Sequence, residues 1–550
     1  MSEPLTTESV DLGSSAPDRQ RADPGTLRWS SSIILLALCL CYFIDPNPRL
    51  DLSVFDTRDA EGYLALSRSL VTGHGYTRSL SPEYYVPHTT WPPGLPILLM
   101  PVTLLAGMPV DLLLVKLGVI VYGVIGILLA YLYARRLSRA PLVQLAVPLL
   151  LALNPYYWQF SRMTNSEMPA IVWTLLMLLL ADIGWMKGMI RYRTSALFGL
   201  IAGLGMLIRG SLYGGLFLPL AILLVRRPAA GERGGLLRRY LAYAAGFVLP
   251  FLLWVLRNRG IDSSKLGLDG INQLAMIFRS VPVDPSSPMR TLAQIFDNMR
   301  ENLAGAIIYP IPKAIFPALW AQAEWDRLGA FSAPLAIALS LAVLALSWRT
   351  RRNIPLILMY GSMAALNVFY AAGGMMRLWV PVACLIAISL PFGAETLAVF
   401  RNRAVAVTTA GVVSAALSVS LAFYIIQHDK QPYHDATFAA LADMFETVRD
   451  HPDLAGNVLT PNPEAFSLST GLRAPMTVPG LGFEPRYAYV ILPSDEWNRD
   501  RLSGRVIAQN SIWSLIELSA PLRLAEIRQR NECPISMIPA VAALWNCLIW

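Results

Sequence analysis

The chain has 550 residues, of which 55% are hydrophobic and only 15% charged, with a mean hydropathy of +0.47. Soluble domains carry about 25% charged residues, so the composition excludes a large soluble enzyme and points to a multi-span membrane protein with a smaller water-facing part. The net charge of +8 does not indicate nucleic acid, because the basic residues fall in short clusters between apolar runs and form no groove interleaved with aromatic side chains.

Residues 1–28 are polar, rich in Ser, Asp and Arg, and lack the layout of a cleavable signal. They predict a disordered cytoplasmic tail, with the first apolar run retained as an anchor. Apolar runs near 30–45, 112–134, 141–154, 168–186, 194–209, 212–225, 240–256, 331–347, 354–372, 378–399 and 404–426 predict about eleven transmembrane helices within 29–426. One further run, PPGLPILLMPVTLLAG at 92–107, is short and has proline at three depths. It predicts a helix lying at the interface or re-entering, not a crossing.

Arginines set the orientation. Arg19, Arg21 and Arg28 precede the first span, and Arg135, Arg136 and Arg139 follow the second. Lys187, Arg191, Arg193, Arg226, Arg227, Arg349, Arg351, Arg352, Arg401 and Arg403 cluster at later junctions. If 92–107 does not cross, every cluster lies on one side, which places the N-terminus in the cytoplasm and the C-terminus outside. The outer face then carries the loop 46–111, the turn NPYYWQFSRMTNSEMP, the loop 257–330 and the segment 427–550. That last segment has turn signals and short β-like runs such as YAYVIL, and predicts a small α/β or α+β extracytoplasmic domain. Cys39, Cys41 and Cys384 lie in apolar runs and read as small core residues. Cys533 and Cys547 would be able to pair if the C-terminal region lies outside the cytoplasm, or stay as thiols.

The chemistry-bearing residues gather on that outer face. Asp56, Asp59 and Glu61 lie just beyond the first span, and Asp59 opens a helical pattern in which Tyr63, Leu66 and Leu70 form one apolar face that can lie on the membrane. Asp59 is either a helix-terminal charge in a solvated loop or a general base. Glu61 reads as a solvent-facing first-turn charge or as a support for Asp59. Glu167 opens the fourth span in TNSEMP, where Asn165 or Ser166 would cap. Arg209 in GMLIRGSLYGG and Arg377 in GGMMRLWVPV interrupt apolar sequence at the outer ends of spans. Each either snorkels to lipid headgroups or binds a phosphate with its planar fork. Taken together, two acids and two arginines on one face form the set that transfer from a lipid phosphate needs: a carboxylate takes a proton from the acceptor hydroxyl, and positive groups stabilise the departing phosphate.

These residues resemble the GT-C superfamily of integral-membrane glycosyltransferases, in the branch with the protein O-mannosyltransferases and the lipid A aminoarabinose transferase. The likeness rests on Asp59 with an aromatic, Tyr63, four residues on, and on the Gly pair of SLVTGHGYT. It continues through the double proline of WPPGLPILL, the acid of SEMPAIVWTLL, the Arg of RLWVP and the tail TPNPEAFSLSTGLRAPMTVPG. It implies a polyprenyl-phosphate-linked sugar as donor, inversion at the anomeric carbon, Asp59 as general base, and Glu167 as a second acid holding the acceptor or a metal. It also implies a phosphate site with Arg377 and Arg209. The branch often has Glu directly after its first acid, whereas here Ala60 intervenes before Glu61. The lipid A enzymes carry a Lys before the double proline, where this chain has Trp91; His88, Arg58 and Arg78 are the nearby cations that would replace it. The acids admit a divalent cation without requiring one.

The sequence therefore predicts a glycosyltransferase of the cytoplasmic membrane, using a lipid-linked sugar and an acceptor glycan, glycolipid or protein. A transporter or flippase of a lipid-linked sugar is the rival, disfavoured by the lack of an internal repeat. With a carboxylate base, activity should fall only at acid pH, whereas a fall near neutrality would implicate His74 or His88.

Overall fold

The computed structural model describes residues 24–43, 58–81, 84–107, 109–186, 191–226, 233–261, 278–280, 287–317, 319, 329–370, 376–396, 432–449, 458–460, 466, 468, 470, 486–493, 504–509 and 513–523. Asp56, the run 404–426, most of the tail motif and both C-terminal cysteines lie outside these residues.

Ten of the eleven apolar runs fall on helices. After α1 (Pro24–Cys41) and the polar helix α2 (Arg58–Val71), a two-stranded hairpin of β1 (Thr77–Ser81) and β2 (Tyr84–Pro87) leads to α3 (Gly94–Ala106). The turn that ends α2 uses Gly73 and Gly75 at φ 82° and 72°, a region where glycine carries no side-chain penalty. The bundle continues with α4 (Leu112–Leu137), α5 (Pro141–Ala152), α6 (Pro155–Phe160), α7 (Glu167–Ala181), α8 (Tyr192–Ile208), α9 (Leu218–Arg226) and α10 (Arg233–Arg259). Next come α11 (Leu292–Ile308), α12 (Pro310–Ile315), α13 (Gly329–Trp348), α14 (Ile354–Phe369) and α15 (Met376–Ala394). Capping fixes several starts. The Asp111 carboxylate accepts from the Leu113 and Leu114 amides at 2.9 and 3.2 Å, and Thr291 with Gln294 forms a capping box for α11.

Among the described residues, four helices are long and apolar enough to cross a membrane alone: Leu112–Leu137, Glu167–Gly184, Gly235–Arg259 and Met376–Ala394. The shorter ones cross, if at all, as parts of broken elements. The apolar run at 212–225 is a 3-10 turn over Gly210–Phe217 followed by α9. Within this turn Gly214 lies against Ser362 of α14, where an added Cβ would sit 2.1 Å from the hydroxyl. Helices α13 and α14 meet across a 97° bend. Helix α3, at 13 residues, reaches about 20 Å, less than a hydrocarbon slab.

Small residues set the closest helix contact. An added Cβ at Gly199 or Gly203 of α8 would stand 2.0 Å from the carbonyl oxygens of Tyr243 and Phe247 of α10. This is a G-x-x-x-G approach of the kind that lets membrane helices pack backbone to backbone. The main core joins α4, α5, α7, α14 and α15, with Tyr157, Trp379 and Phe392 fully enclosed. Cys39 and Cys384 are buried in it, but Cys41 is exposed, because it lies on the side of α1 away from the bundle.

Beyond the bundle, α16 (Pro432–Arg449) packs on a mixed sheet of order β3-β4-β6-β5: β3 (Val458–Leu459), β4 (Arg486–Pro493), β6 (Trp513–Arg523) and β5 (Gly504–Gln509). Only β3–β4 is parallel. This unit shares one apolar cluster with α2 and α3, in which Leu441, Phe445 and Phe466 join Tyr63, Leu64, Leu95 and Leu99. The Val110 amide donates to the Leu468 carbonyl at 2.8 Å.

Candidate active site

Helix α2 does not lay its apolar face on lipid. Tyr63 and Leu66 are buried, because α3 folds over them: Leu95 and Leu99 fill the space, and the Ser67 and Thr103 hydroxyls hydrogen-bond at 2.8 Å. Thr103 already donates to the Leu99 carbonyl, so Ser67 is the donor. Glu61, expected either to face solvent or to support Asp59, is only 4% exposed, which removes the first alternative. The short helix is covered on more than one side, so first-turn position did not imply exposure.

Asp59, in the first turn of α2, meets Arg377 in the first turn of α15. Arg377 Nη2 lies 2.7 Å from Asp59 Oδ2, and both side chains remain roughly a quarter to a third exposed, at 26% and 31%. A second pair stands beside it. Arg209 Nη1 lies 2.9 Å from Glu167 Oε1, with the carboxylate side chain only 4% exposed. The same nitrogen donates to Ser166 Oγ at 3.0 Å. Ser166 does occupy the N-cap of α7, but its hydroxyl makes no cap hydrogen bond and serves Arg209 instead. Arg209 is delivered there because its extended backbone ends α8 just before the glycine-rich 3-10 turn.

Tyr63 stands between the pairs: Asp59, Glu167, Arg209 and Arg377 all act electrostatically on its hydroxyl. Burial first, then the Asp59 and Glu167 carboxylates, push that phenol above its ordinary range. Tyr63 is therefore a neutral hydroxyl at physiological pH. Tyr370, just after α14, is also close enough for Asp59 and Arg377 to influence it.

The double-proline motif holds the layers together. Trp91 covers Gly62, where an added Cβ would stand 2.3 Å from the indole, and packs on Tyr63 with ring centroids 5.0 Å apart. Gly94 lies on the backbone of Leu207 and Ile208, directly before Arg209, where a Cβ would meet the Leu207 carbonyl at 2.5 Å. Thr164 Oγ1 donates to the Ala60 carbonyl at 3.0 Å. One short motif thus ties α2 to the end of α8, and the loop before α7 is tied to the residue next to Asp59.

The proposed substitutes for a lysine at position 91 separate. Arg78 stacks over the Trp91 ring at 5.9 Å. His88 is buried, and its Nε2 accepts from the Trp91 amide at 2.9 Å. That contact turns His88 toward the backbone of the double-proline motif. The Arg58 side chain lies outside the described residues. His74 is exposed, in the turn between α2 and β1, and stacks on Tyr85 of β2.

Three contributors escaped the sequence reading. Arg257, at the end of α10, donates to the His88 and Tyr76 carbonyls at 2.6 and 3.0 Å and lies over the Trp254 and Tyr76 rings. Its signal was available: it is an arginine at the end of the bundle opposite the basic clusters. Asn302 of α11 donates to the Val368 and Tyr370 carbonyls at 3.0 and 2.8 Å. Asn367 donates to the Leu378 carbonyl at 2.7 Å, which fixes the start of α15 beside Arg377. Nothing in the sequence marks either asparagine. Arg162, by contrast, is latched to the Trp158 and Tyr42 carbonyls and braces α1. Among the described residues no three His, Cys, Asp or Glu side chains converge as a metal site.

The chain is similar in structure to ArnT from Cupriavidus metallidurans bound to undecaprenyl phosphate, with a TM-score of 0.53 and 13% identity over 88% of this chain and 98% of that one. The apo state of the same protein gives a TM-score of 0.53 and 13% identity over 90% and 98%. No family model and no curated protein matches the sequence. The likeness shows a shared fold, and it is the GT-C membrane fold that the sequence predicted.

Proposed function

We propose that the protein is an inverting glycosyltransferase of the cytoplasmic membrane, acting on the outer face. It moves a sugar from a polyprenyl-phosphate donor to the hydroxyl of an acceptor glycan, glycolipid or protein. The observation that carries the reading is the partly exposed Asp59–Arg377 pair beside the closed Glu167–Arg209 pair, within a fold shared with a protein bound to undecaprenyl phosphate.

The two pairs divide the work by exposure. Asp59 and Arg377 are reachable, so a donor phosphate can take Arg377 through charge-assisted hydrogen bonds and release Asp59 for the acceptor. The acceptor hydroxyl then gives its proton to Asp59 as its oxygen bonds to the anomeric carbon. The bond from that carbon to the phosphate oxygen breaks, and the electron pair leaves with the lipid phosphate, whose charge Arg377 stabilises. Glu167, enclosed and paired with Arg209, positions this second arginine behind the phosphate site instead of meeting the acceptor directly.

The test is turnover of short-chain polyprenyl-phosphate sugars by the purified chain, wild type beside Asp59→Asn, with lipid phosphate release and glycosylated product both measured. Release and product lost in the variant uphold the reading. Intact donor moved across a vesicle membrane without release would identify a transporter.

A further inference from the structure

The end of the bundle opposite the acid–arginine cluster carries a cavity of about 220 Å³ between α4, α7, α9 and α14. It is lined by the charged side chains Arg136, Arg352 and Asp182 and by the apolar Leu178, Ile222 and Pro355. Arg136 uses its Nε on Asp182, and its terminal nitrogens donate to none of the described residues. Arg352 Nη1 reaches Glu395 at 3.2 Å and the Leu137 carbonyl at 3.1 Å, while its side chain is 53% exposed. A guanidinium has five N–H donors, so each of these two lining arginines has donors beyond those used in the bonds above.

Three features favour an amphiphile with an anionic head. The cavity's two arginines are each paired with a carboxylate, Asp182 and Glu395, but Arg135, Arg139, Arg349 and Arg351 stand at the same helix ends and leave an excess of positive charge around it. The walls are apolar. The volume is about seven water-sized units at roughly 30 Å³ each, which suits a phosphodiester head and the start of an acyl chain. In addition, α7 loosens into a π-turn at Asp182–Met186 on the cavity wall, an irregularity that is common at functional sites.

We infer that this cavity binds the headgroup of an anionic phospholipid, with Arg136 and Arg352 on the phosphate and the first methylenes against Ile222, Leu178 and Pro355. The end it occupies is the one the Lys/Arg bias assigns to the leaflet rich in anionic lipid. The site is distinct from the donor site proposed above and does not depend on it. The two lie at opposite ends of α7.

The experiment uses the full chain, purified in detergent and stripped of lipid. Thermal unfolding is followed with dihexanoyl phosphatidylglycerol, dihexanoyl phosphatidylcholine or inorganic phosphate, and lipid retention is read by native mass spectrometry. The expected result is a rise of several degrees with phosphatidylglycerol alone and one retained copy, both lost in Arg352→Gln, whose half-exposed side chain is not needed for the core. Ile222→Trp fills the apolar wall while keeping both arginines, and should abolish retention too. Equal effects of the two lipids, or a phosphatidylglycerol effect that survives both variants, would overturn the site. The same rise with inorganic phosphate would overturn the lipid as ligand.

Discussion

Arg377 holds Asp59 at 2.7 Å, joining the start of a late helix to the start of the second. The pair is open to solvent, unlike the Glu167–Arg209 pair beside it, and this difference drives the first predictions.

Asp59→Asn removes the proposed proton acceptor but keeps the size and much of the hydrogen bonding. Turnover of a lipid-phosphate sugar should fall by roughly 10²–10⁴-fold, the range for general-base loss, while donor binding persists. Steady-state release of lipid phosphate and equilibrium binding of labelled donor check the two halves separately. Release undiminished in the variant would move the base to another acid.

Arg377→Lys keeps charge but loses the planar fork. It should weaken donor binding more than it lowers the turnover number, whereas Arg377→Gln should lower both. A donor titration of each variant, read as KM against kcat, distinguishes these outcomes.

Arg209→Gln leaves Glu167 buried without its cation. Breaking such a pair costs about 3–5 kcal/mol, so the variant should lose several degrees of Tm. Adding Glu167→Gln should recover part of the loss. A double variant no more stable than Arg209→Gln would show that the pair is not the source.

Gly62→Leu drives a side chain into the Trp91 ring. Activity should fall with the fold retained, since the displaced ring lies over Tyr63 and not in the main core. Trp91→Gly in the same chain should restore part of it. Activity assays and unfolding curves on the single and double variants test the compensation.

The Tyr63 phenol is pushed up by burial and two nearby carboxylates. A raised phenol stays protonated further into the alkaline range, so Tyr63 contributes no loss of activity as pH rises toward 10. The pH profile of Tyr63→Phe should match the wild type on its alkaline side. An alkaline limb present in the wild type and absent in the variant would contradict the assignment.

The four ionisable residues of the site were legible because each signal is local: Asp59, Glu167, Arg209 and Arg377 are charges at the ends of apolar runs, on the side where the basic clusters are not. Their partners were not legible. Pairing Asp59 with Arg377 and not with Arg209 depends on how α3 and α8 pack, and no spacing in the sequence encodes it. The Tyr63 face, and the solvent-facing alternative for Glu61, differ from the structure for the same reason: the periodicity showed an apolar stripe but not that α3, instead of lipid, would cover it. Trp91 was noticed as a departure from a lysine, yet its role as a cover on Gly62 needed the fold. The double proline, Gly94 and Asn302 act through backbone contacts, and these leave little trace in residue type. Several of the expected spans are shorter or broken in the structure, as at Gly210–Phe217 and at the 97° bend between α13 and α14, and hydropathy alone does not mark such breaks.

Helix α7 is also a ruler. Its 15 residues, Glu167 to Ala181, measure about 22 Å at 1.5 Å each, and both ends finish in ion pairs. A bilayer's hydrocarbon layer is about 30 Å thick. If the proposed donor site is right, its charged floor would lie several ångströms below the plane where lipid phosphates normally rest, unless the bilayer dimples to meet it. A sugar on a long flexible isoprenoid can sink to that depth, while a sugar on a water-soluble nucleotide carrier would have to leave its hydration behind. On that proposal, depth alone would discriminate between carriers, before any residue recognises the sugar.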